Sequence, residues 1–194
     1  MFGWKNWAIL LGVVLLGLAA VALYEGWFPF SPAPAGEAGP GQCPAQLGPC
    51  DPARVLEVID GDTVKVRLGR KEETVRLIGV DTPETKDPRK EVECFGREAS
   101  RFTTSALEGR QVWLTYKPNE RRDKYDRLLA YLWLNLDEDP EPEMFNEELV
   151  RKGYARVYPF FPFEYLEEFR QDEARARARR LGLWGECDYE PYSP

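Results

Sequence analysis

Arg76-Leu-Ile-Gly-Val-Asp81-Thr82-Pro83-Glu84 lies near the middle of this 194-residue chain. Its first half belongs to an apolar run spanning Glu73 to Val80 that reads as a strand, and its second half sets two carboxylates around a proline. Upstream, Val55–Ile59 and Thr63–Leu68 read as strands joined by the turn Asp60-Gly61-Asp62, and Gly69-Arg70-Lys71 leads into the Arg76 strand. Downstream, Ala99, Phe102, Thr103, Ala106 and Leu107 recur at helical spacing between Gly96 and Glu108, where Gly109 ends the helix. Gln111–Tyr116 and Leu128–Leu134 are two more strands, and Met144–Lys152 and Phe163–Arg180 two more helices. Five short strands, three of them ahead of a helix, suit a small Greek-key barrel of the OB type. The expected class is therefore α+β, mainly β: a five-stranded barrel with about three helices.

The chain outside this region has a different character. Trp7 to Tyr24 carries no charge and approaches the length of a membrane span, with Lys5 before it and Glu25 and Glu37 after it. Residues 1–24 thus read as a removed signal peptide, with a cleavage sequence at Ala20-Val21-Ala22, or as a retained transmembrane anchor. Either way, the rest of the chain is expected outside the cytoplasm, secreted or held on the outer membrane face. Residues 25–54 are rich in Pro, Gly and Ala and read as a linker, with the globular domain at 55–187 and a tail at 188–194. Four cysteines suit an oxidising compartment. Of three possible pairings, the adopted one joins Cys43 to Cys50 as a local clip and Cys94 to Cys187 across the domain. A zinc site is the weaker alternative, since no C-x2-C pair occurs.

Composition excludes several chemistries. The sequence has no histidine, which removes histidine general bases, Ser-His nucleophiles and His-ligated zinc. A net charge of −7 argues against a generic, sequence-blind nucleic-acid binder but leaves room for a locally positive site. What remains is hard-oxygen and guanidinium chemistry. Asp62 and Asp81 together suit a hard cation such as calcium. Arg76 and Arg127 are forked donors for phosphate oxygens, and Glu84 stands where it would orient or deprotonate a water. Each motif alone has a plainer meaning. Asp-Gly is a common hairpin turn, Asp81-Thr-Pro-Glu84 resembles a helix cap, and Lys124-Tyr125 reads as a solvated loop. The Arg175–Arg180 run is interleaved with Glu164, Glu167, Glu168, Asp172 and Glu173, which favours a solvated helix face over a nucleic-acid patch.

In combination the motifs resemble the staphylococcal nuclease (thermonuclease) family. The matching pieces are Val58-Ile-Asp-Gly-Asp-Thr-Val-Lys65, Arg76 to Glu84, Phe95-Gly-Arg-Glu-Ala-Ser100, Asp123-Lys-Tyr-Asp-Arg127 with Leu129-Ala-Tyr131, Asn146 to Arg151 with Gly153-Tyr-Ala-Arg156, and Leu181-Gly-Leu-Trp184. They run collinearly from about Val55 to Trp184. The resemblance implies an OB-fold barrel with three helices. It also implies calcium held by the side chains of Asp62 and Asp81 and the carbonyl of Thr82. Arg76, Glu84 and Arg127 would be catalytic, and Lys124 and Tyr125 would contact substrate. It further implies cleavage of DNA and RNA with little sequence preference, leaving 3′-phosphate ends; the chain is expected to be a monomer.

Two departures from the family pattern stand out. Tyr158-Pro-Phe-Phe-Pro162 replaces a pair of tyrosines, leaving Tyr158 or Phe161 to stack on a base, and Asp126 stands where glycine is common. The competing reading is a surface-tethered OB module that binds nucleic acid without cutting it.

Overall fold

Strand β1 (Asp51–Asp60) turns through Gly61-Asp62 into β2 (Thr63–Leu68), and β2 turns into β3 (Lys71–Leu77). The computed structural model describes residues 43–44, 47–86, 91–134 and 142–193. The apolar segment 7–24, its cleavage sequence and most of the expected linker lie outside these residues. Among the described residues, no helix is long and apolar enough to cross a membrane.

The chain continues through β4 (Val80–Asp81), α1 (Gly96–Leu107), β5 (Gln111–Thr115), β6 (Leu128–Leu134), β7 (Glu143–Met144) and α2 (Phe145–Arg151). It ends with β8 (Arg156–Val157), α3 (Leu166–Ala178) and the short α4 (Leu183–Glu186). The sheet order is β3-β2-β1-β5-β6-β7, and β3 also pairs with β6. That last pairing is parallel and closes five strands into the expected OB barrel, leaving the two-residue β7 outside it. Closure leaves the barrel without free edges, the reason such small sheets are stable alone.

Alternation fills the interior. Val64 and Val66 of β2 and Val75 and Leu77 of β3 are buried and face inward, so Arg76 between them projects from the outer face. In α1, Ala99, Thr103 and Leu107 are buried at intervals of one turn, and the helix packs against β1. Gly96 at its start is required by proximity. A Cβ there would lie 2.8 Å from the Thr85 side chain and 3.2 Å from the Glu84 carbonyl oxygen, so α1 abuts the loop after Asp81.

Several boundaries differ from expectation. Strand β1 begins at Asp51, so the last residues assigned to the 25–54 linker are part of the barrel. Asp51 and Pro52 pair only with β5, and β2 joins at Ala53, so proline withholds no bond from a two-sided ladder. The third strand stops at Leu77 rather than Val80, because the chain turns at Gly79, with φ +77°, and restarts as β4 paired with β8. The helix expected at Phe163–Arg180 is α3, which runs from Leu166 to Ala178. Both disulfides take the expected pairing, Cys43–Cys50 and Cys94–Cys187, with Cα separations of 5.7 and 6.1 Å. In the chain-entropy view the longer loop restrains the unfolded chain by a few kcal/mol.

One buried polar residue ties these layers together. Asn146, at the start of α2 and 0% exposed, accepts from the Leu132 amide at 2.9 Å. It donates to the carbonyls of Ile78 at 3.0 Å and Ala130 at 3.2 Å. The turn that delivers Asp81 is thereby pinned to the barrel wall. Asn146→Ala strands buried backbone groups without partners and should lower unfolding free energy by about 2–4 kcal/mol in urea titration. A loss below about 0.5 kcal/mol would contradict this role.

Candidate active site

Arg76 is the centre of the site. Its guanidinium reaches Asp62 Oδ2 at 3.0 Å and Asp81 Oδ1 at 3.2 Å. It also donates to the Val80 carbonyl at 2.8 Å and the Leu77 carbonyl at 3.2 Å, which fixes it across the β3–β4 turn. Asp62 is buried and receives Thr63 Oγ1 at 2.9 Å and the Thr82 amide at 3.0 Å. Asp62, Arg76, Asp81 and Thr82, carried by the β1–β2 turn, β3, β4 and the loop that follows, therefore meet at one point.

The Asp60–Asp62 turn is held from two sides. Thr103 of α1 donates to the Gly61 carbonyl at 2.7 Å. A Cβ on Gly61 would lie 2.7 Å from Thr82 Oγ1, so only glycine lets the turn press against the Thr82 loop. Thr82 Oγ1 is buried and has no hydrogen-bond partner among the described residues.

Asp60 was read only as a turn residue, yet it joins the site. It is 8% exposed and accepts from Thr85 Oγ1 at 2.7 Å and the Thr85 amide at 3.2 Å. Burial pushes its carboxyl up from 3.8 to about 6; the Thr85 and Gly61 bonds oppose the shift, while a bond to Glu84 and the charge of Asp62 add to it. A break in the β1–β2 register between Val58 and Asp60 accompanies this placement. Glu84 accepts from the Lys86 amide at 2.7 Å through Oε1, and its own amide donates to Glu93 at 3.2 Å. Glu84 thus lies beside Asp60 at the edge of the site.

Arg127, the other expected guanidinium, immediately precedes the adjoining strand β6. Leu128 pairs with Val75, so Arg127 enters β6 alongside the start of the Arg76 segment. Arg127 is anchored in its own loop by Nε to Asp123 Oδ2 at 2.7 Å. Burial raises the Asp123 carboxyl, but hydrogen bonds from Arg127 and the Tyr125 amide outweigh it and hold the group below its usual value. Lys124 and Tyr125 are exposed on that loop, with the Lys124 ammonium 4.9 Å and the Arg127 guanidinium 5.4 Å from the Tyr125 ring centre. They form a separate cluster from the Arg76 group. Asp126 adopts φ +65°, the left-handed region that favours glycine and that Asp also tolerates.

Two further residues escaped the sequence reading. Arg156 of β8 pairs in register with Asp81 and reaches Asp81 Oδ2 at 3.2 Å. Tyr192, from the supposed tail, donates to the same oxygen at 2.7 Å. Burial raises the Asp81 carboxyl; Tyr192 opposes it, Asp62 adds to it, and Arg76 and Arg156 oppose it. Arg156 lay within a quoted motif, whereas nothing in the tail's composition pointed to Asp81.

A search of family models matches residues 74–186 to one described as staphylococcal nuclease homologue. Over 132 residues the chain is 41% identical to a thermonuclease of Staphylococcus hyicus, covering 68% of this chain and 74% of that protein. A thermonuclease of Staphylococcus intermedius is 42% identical over 132 residues, covering 67% and 74% of the two chains. Endonuclease YncB of Bacillus subtilis (strain 168) is 38% identical over 133 residues, 68% of this chain but only 60% of that protein. The chain belongs to the staphylococcal nuclease family. It is a nuclease of the micrococcal type, and nucleic acid is its substrate.

The Asp60 shift sets a stability test. The folded state holds this proton more tightly than the unfolded chain, so its contribution is complete below about pH 4 and is lost as pH rises through about 6. Asp60→Asn cannot ionise. In chelator, its melting temperature minus that of the parent should increase from pH 4 to pH 7.5. A difference that stays flat across this range would show that Asp60 ionises normally.

Proposed function

We propose that this nuclease is an exported, calcium-dependent phosphodiesterase that hydrolyses DNA and RNA to 3′-phosphate products. The observation that carries the reading is the convergence of Asp62 and Asp81 on Arg76, at 3.0 and 3.2 Å. The donor set fits calcium. It consists of carboxylate, carbonyl and hydroxyl oxygens, with no histidine in the chain. Acids outnumber guanidiniums here, with Asp60, Asp62, Asp81 and Glu84 against Arg76 and Arg156, and the mutual repulsion of Asp62 and Asp81 is what a bound cation would relieve. The unpartnered Thr82 hydroxyl is a further oxygen beside them. Among the described residues, no group of three or more acidic, His or Cys side chains is disposed for a metal, so backbone carbonyl and water must complete a shell around Asp62 and Asp81.

Asp62, Asp81 and the Thr82 carbonyl would hold the ion, which would supply a Lewis acid at the phosphate. Arg76, fixed by the Leu77 and Val80 carbonyls, presents donors to a phosphate oxygen without reorganising. Arg127, oriented by Asp123, offers a second fork to the charge that develops on the phosphate oxygens. Glu84 acts on the attacking water. Lys124 and Tyr125 contact a neighbouring phosphate of the substrate. Tyr125 and Phe161, 67% and 60% exposed, are surfaces for base stacking.

The two disulfides support an oxidising location. Segment 1–24 would be the signal peptide or membrane anchor, followed by the linker, here ending before Asp51. The nuclease domain and its tail would act outside the membrane as a monomer.

Digestion of single-stranded DNA and of RNA by the full chain should require calcium, stop on chelation and yield 3′-phosphate ends. Arg76→Ala, Glu84→Ala and Arg127→Ala should each slow cleavage by about 10²–10⁴ at saturating calcium. Tight DNA binding with no new ends would instead favour the non-catalytic OB module. Unchanged rates in all three variants would remove these residues from the chemistry.

A further inference from the structure

The C-terminal residues do not trail away from the domain. Cys187, which ends α4, is bonded to Cys94, two residues before α1. Tyr189 Oη donates to the Cys94 carbonyl at 3.2 Å, so the chain beyond the disulfide starts flush with the α1 entrance. It then runs to Asp81. Tyr192 Oη donates to Asp81 Oδ2 at 2.7 Å, while Arg76 holds Oδ1 at 3.2 Å.

The ring of Tyr192 is seated as firmly as its hydroxyl. Arg156 lies over it, 4.1 Å from the ring centre, and over Tyr189 at 4.6 Å. Tyr158 and Phe160 pack against it edge-on, with centroids at 5.8 and 5.4 Å. Arg156 itself donates to both Tyr192 Oη and Asp81. Tyr192, Arg156 and Asp81 therefore form a closed triangle of hydrogen bonds.

We propose that Tyr192 is a positioning residue for Asp81, delivered by a C-terminal strap that the Cys94–Cys187 disulfide fastens. This rests on the reading of Asp81 as a cation ligand. Asp81 stands in a strand of two residues, half-buried and facing the like charge of Asp62. A carboxylate so placed would rotate away from Asp62 unless both oxygens were held. Arg76 holds one oxygen, and Tyr192 with Arg156 holds the other. Outer partners of this kind fix a ligand's orientation before the ion arrives.

The disulfide makes the strap local. From Cys187 to Tyr192 the tether is a few residues long, which keeps the phenol at high effective concentration beside Asp81. Apart from Tyr192 itself, the strap's polar ties among the described residues include the Tyr189 bond and the exposed Arg177–Glu190 pair at 3.2 Å, and exposed pairs contribute little.

The test uses the full chain and calcium chloride. Tyr192→Phe retains the ring and its packing and removes only the hydroxyl. Calorimetric titration without substrate should show calcium binding weakened by about tenfold. The loss of DNA cleavage should be largest at low calcium and shrink as calcium saturates, with KM for DNA unchanged. A Cys94→Ser/Cys187→Ser double variant, with Cys43–Cys50 intact, should shift the calcium Kd in the same direction. Melting curves of both variants in calcium-free buffer check that the fold persists. Wild-type calcium affinity in Tyr192→Phe would overturn the proposal. Faster cleavage by that variant would also overturn it, because the strap would then be blocking the site. Absence of calcium binding by the parent chain would take down both this inference and the calcium reading beneath it, which separates the two failures.

Discussion

The site depends on one guanidinium held between two carboxylates. Arg76 lies between the inward-facing Val75 and Leu77, so the barrel's alternation aims it outward, and the Leu77 and Val80 carbonyls prevent it from swinging. Asp62 and Asp81, which would repel each other, can then sit together. Removing one partner of such a half-buried group is costly because the remaining charges stay desolvated. The rest of the structure can be understood as what brings these three side chains to one place and keeps them there.

Barrel closure does most of that. The parallel β3–β6 pairing sets Arg127 beside the strand that carries Arg76, although the two lie far apart in sequence. Helix α1 locks the Asp60–Asp62 turn through Thr103 and abuts the Glu84 loop at Gly96. Asn146 fixes the Ile78 turn, and β8 brings Arg156 opposite Asp81. Each contact is modest. Together they bury the Asp60 and Asp81 carboxyls close to Asp62, and that burial, with the like charge of Asp62 adding to it, raises both.

Much of this was legible in the chain. The five barrel strands and the first helix carry strong periodicity, and the Asp62, Arg76 and Asp81 convergence follows from motifs that keep their spacing. The unread parts share a physical cause. Strands β4 and β8 have two residues each, too few to show alternation. Strand β1 begins inside a Pro- and Cys-bearing stretch because its first residues pair on one side only. Asp60 looked like any hairpin acid, since its burial comes from partners such as Thr85 that are remote in sequence. Tyr192 lies 111 residues from Asp81, and no local pattern encodes a contact at that range. In the Arg175–Arg180 run, Arg175 pairs with the interleaved Asp172, whereas Arg177 pairs with Glu190 of the tail.

On the proposed function, Asp62 and Asp81 share one divalent ion next to Arg76. A crystal structure with calcium and a non-hydrolysable nucleotide, with the ion located by its anomalous signal, tests this most directly. Calcium is expected at about 2.3–2.6 Å from an oxygen of each carboxylate and from the Thr82 carbonyl, with a phosphate oxygen on Arg76. Calcium bound elsewhere at saturation, with both carboxylates still paired only to Arg76, would contradict it.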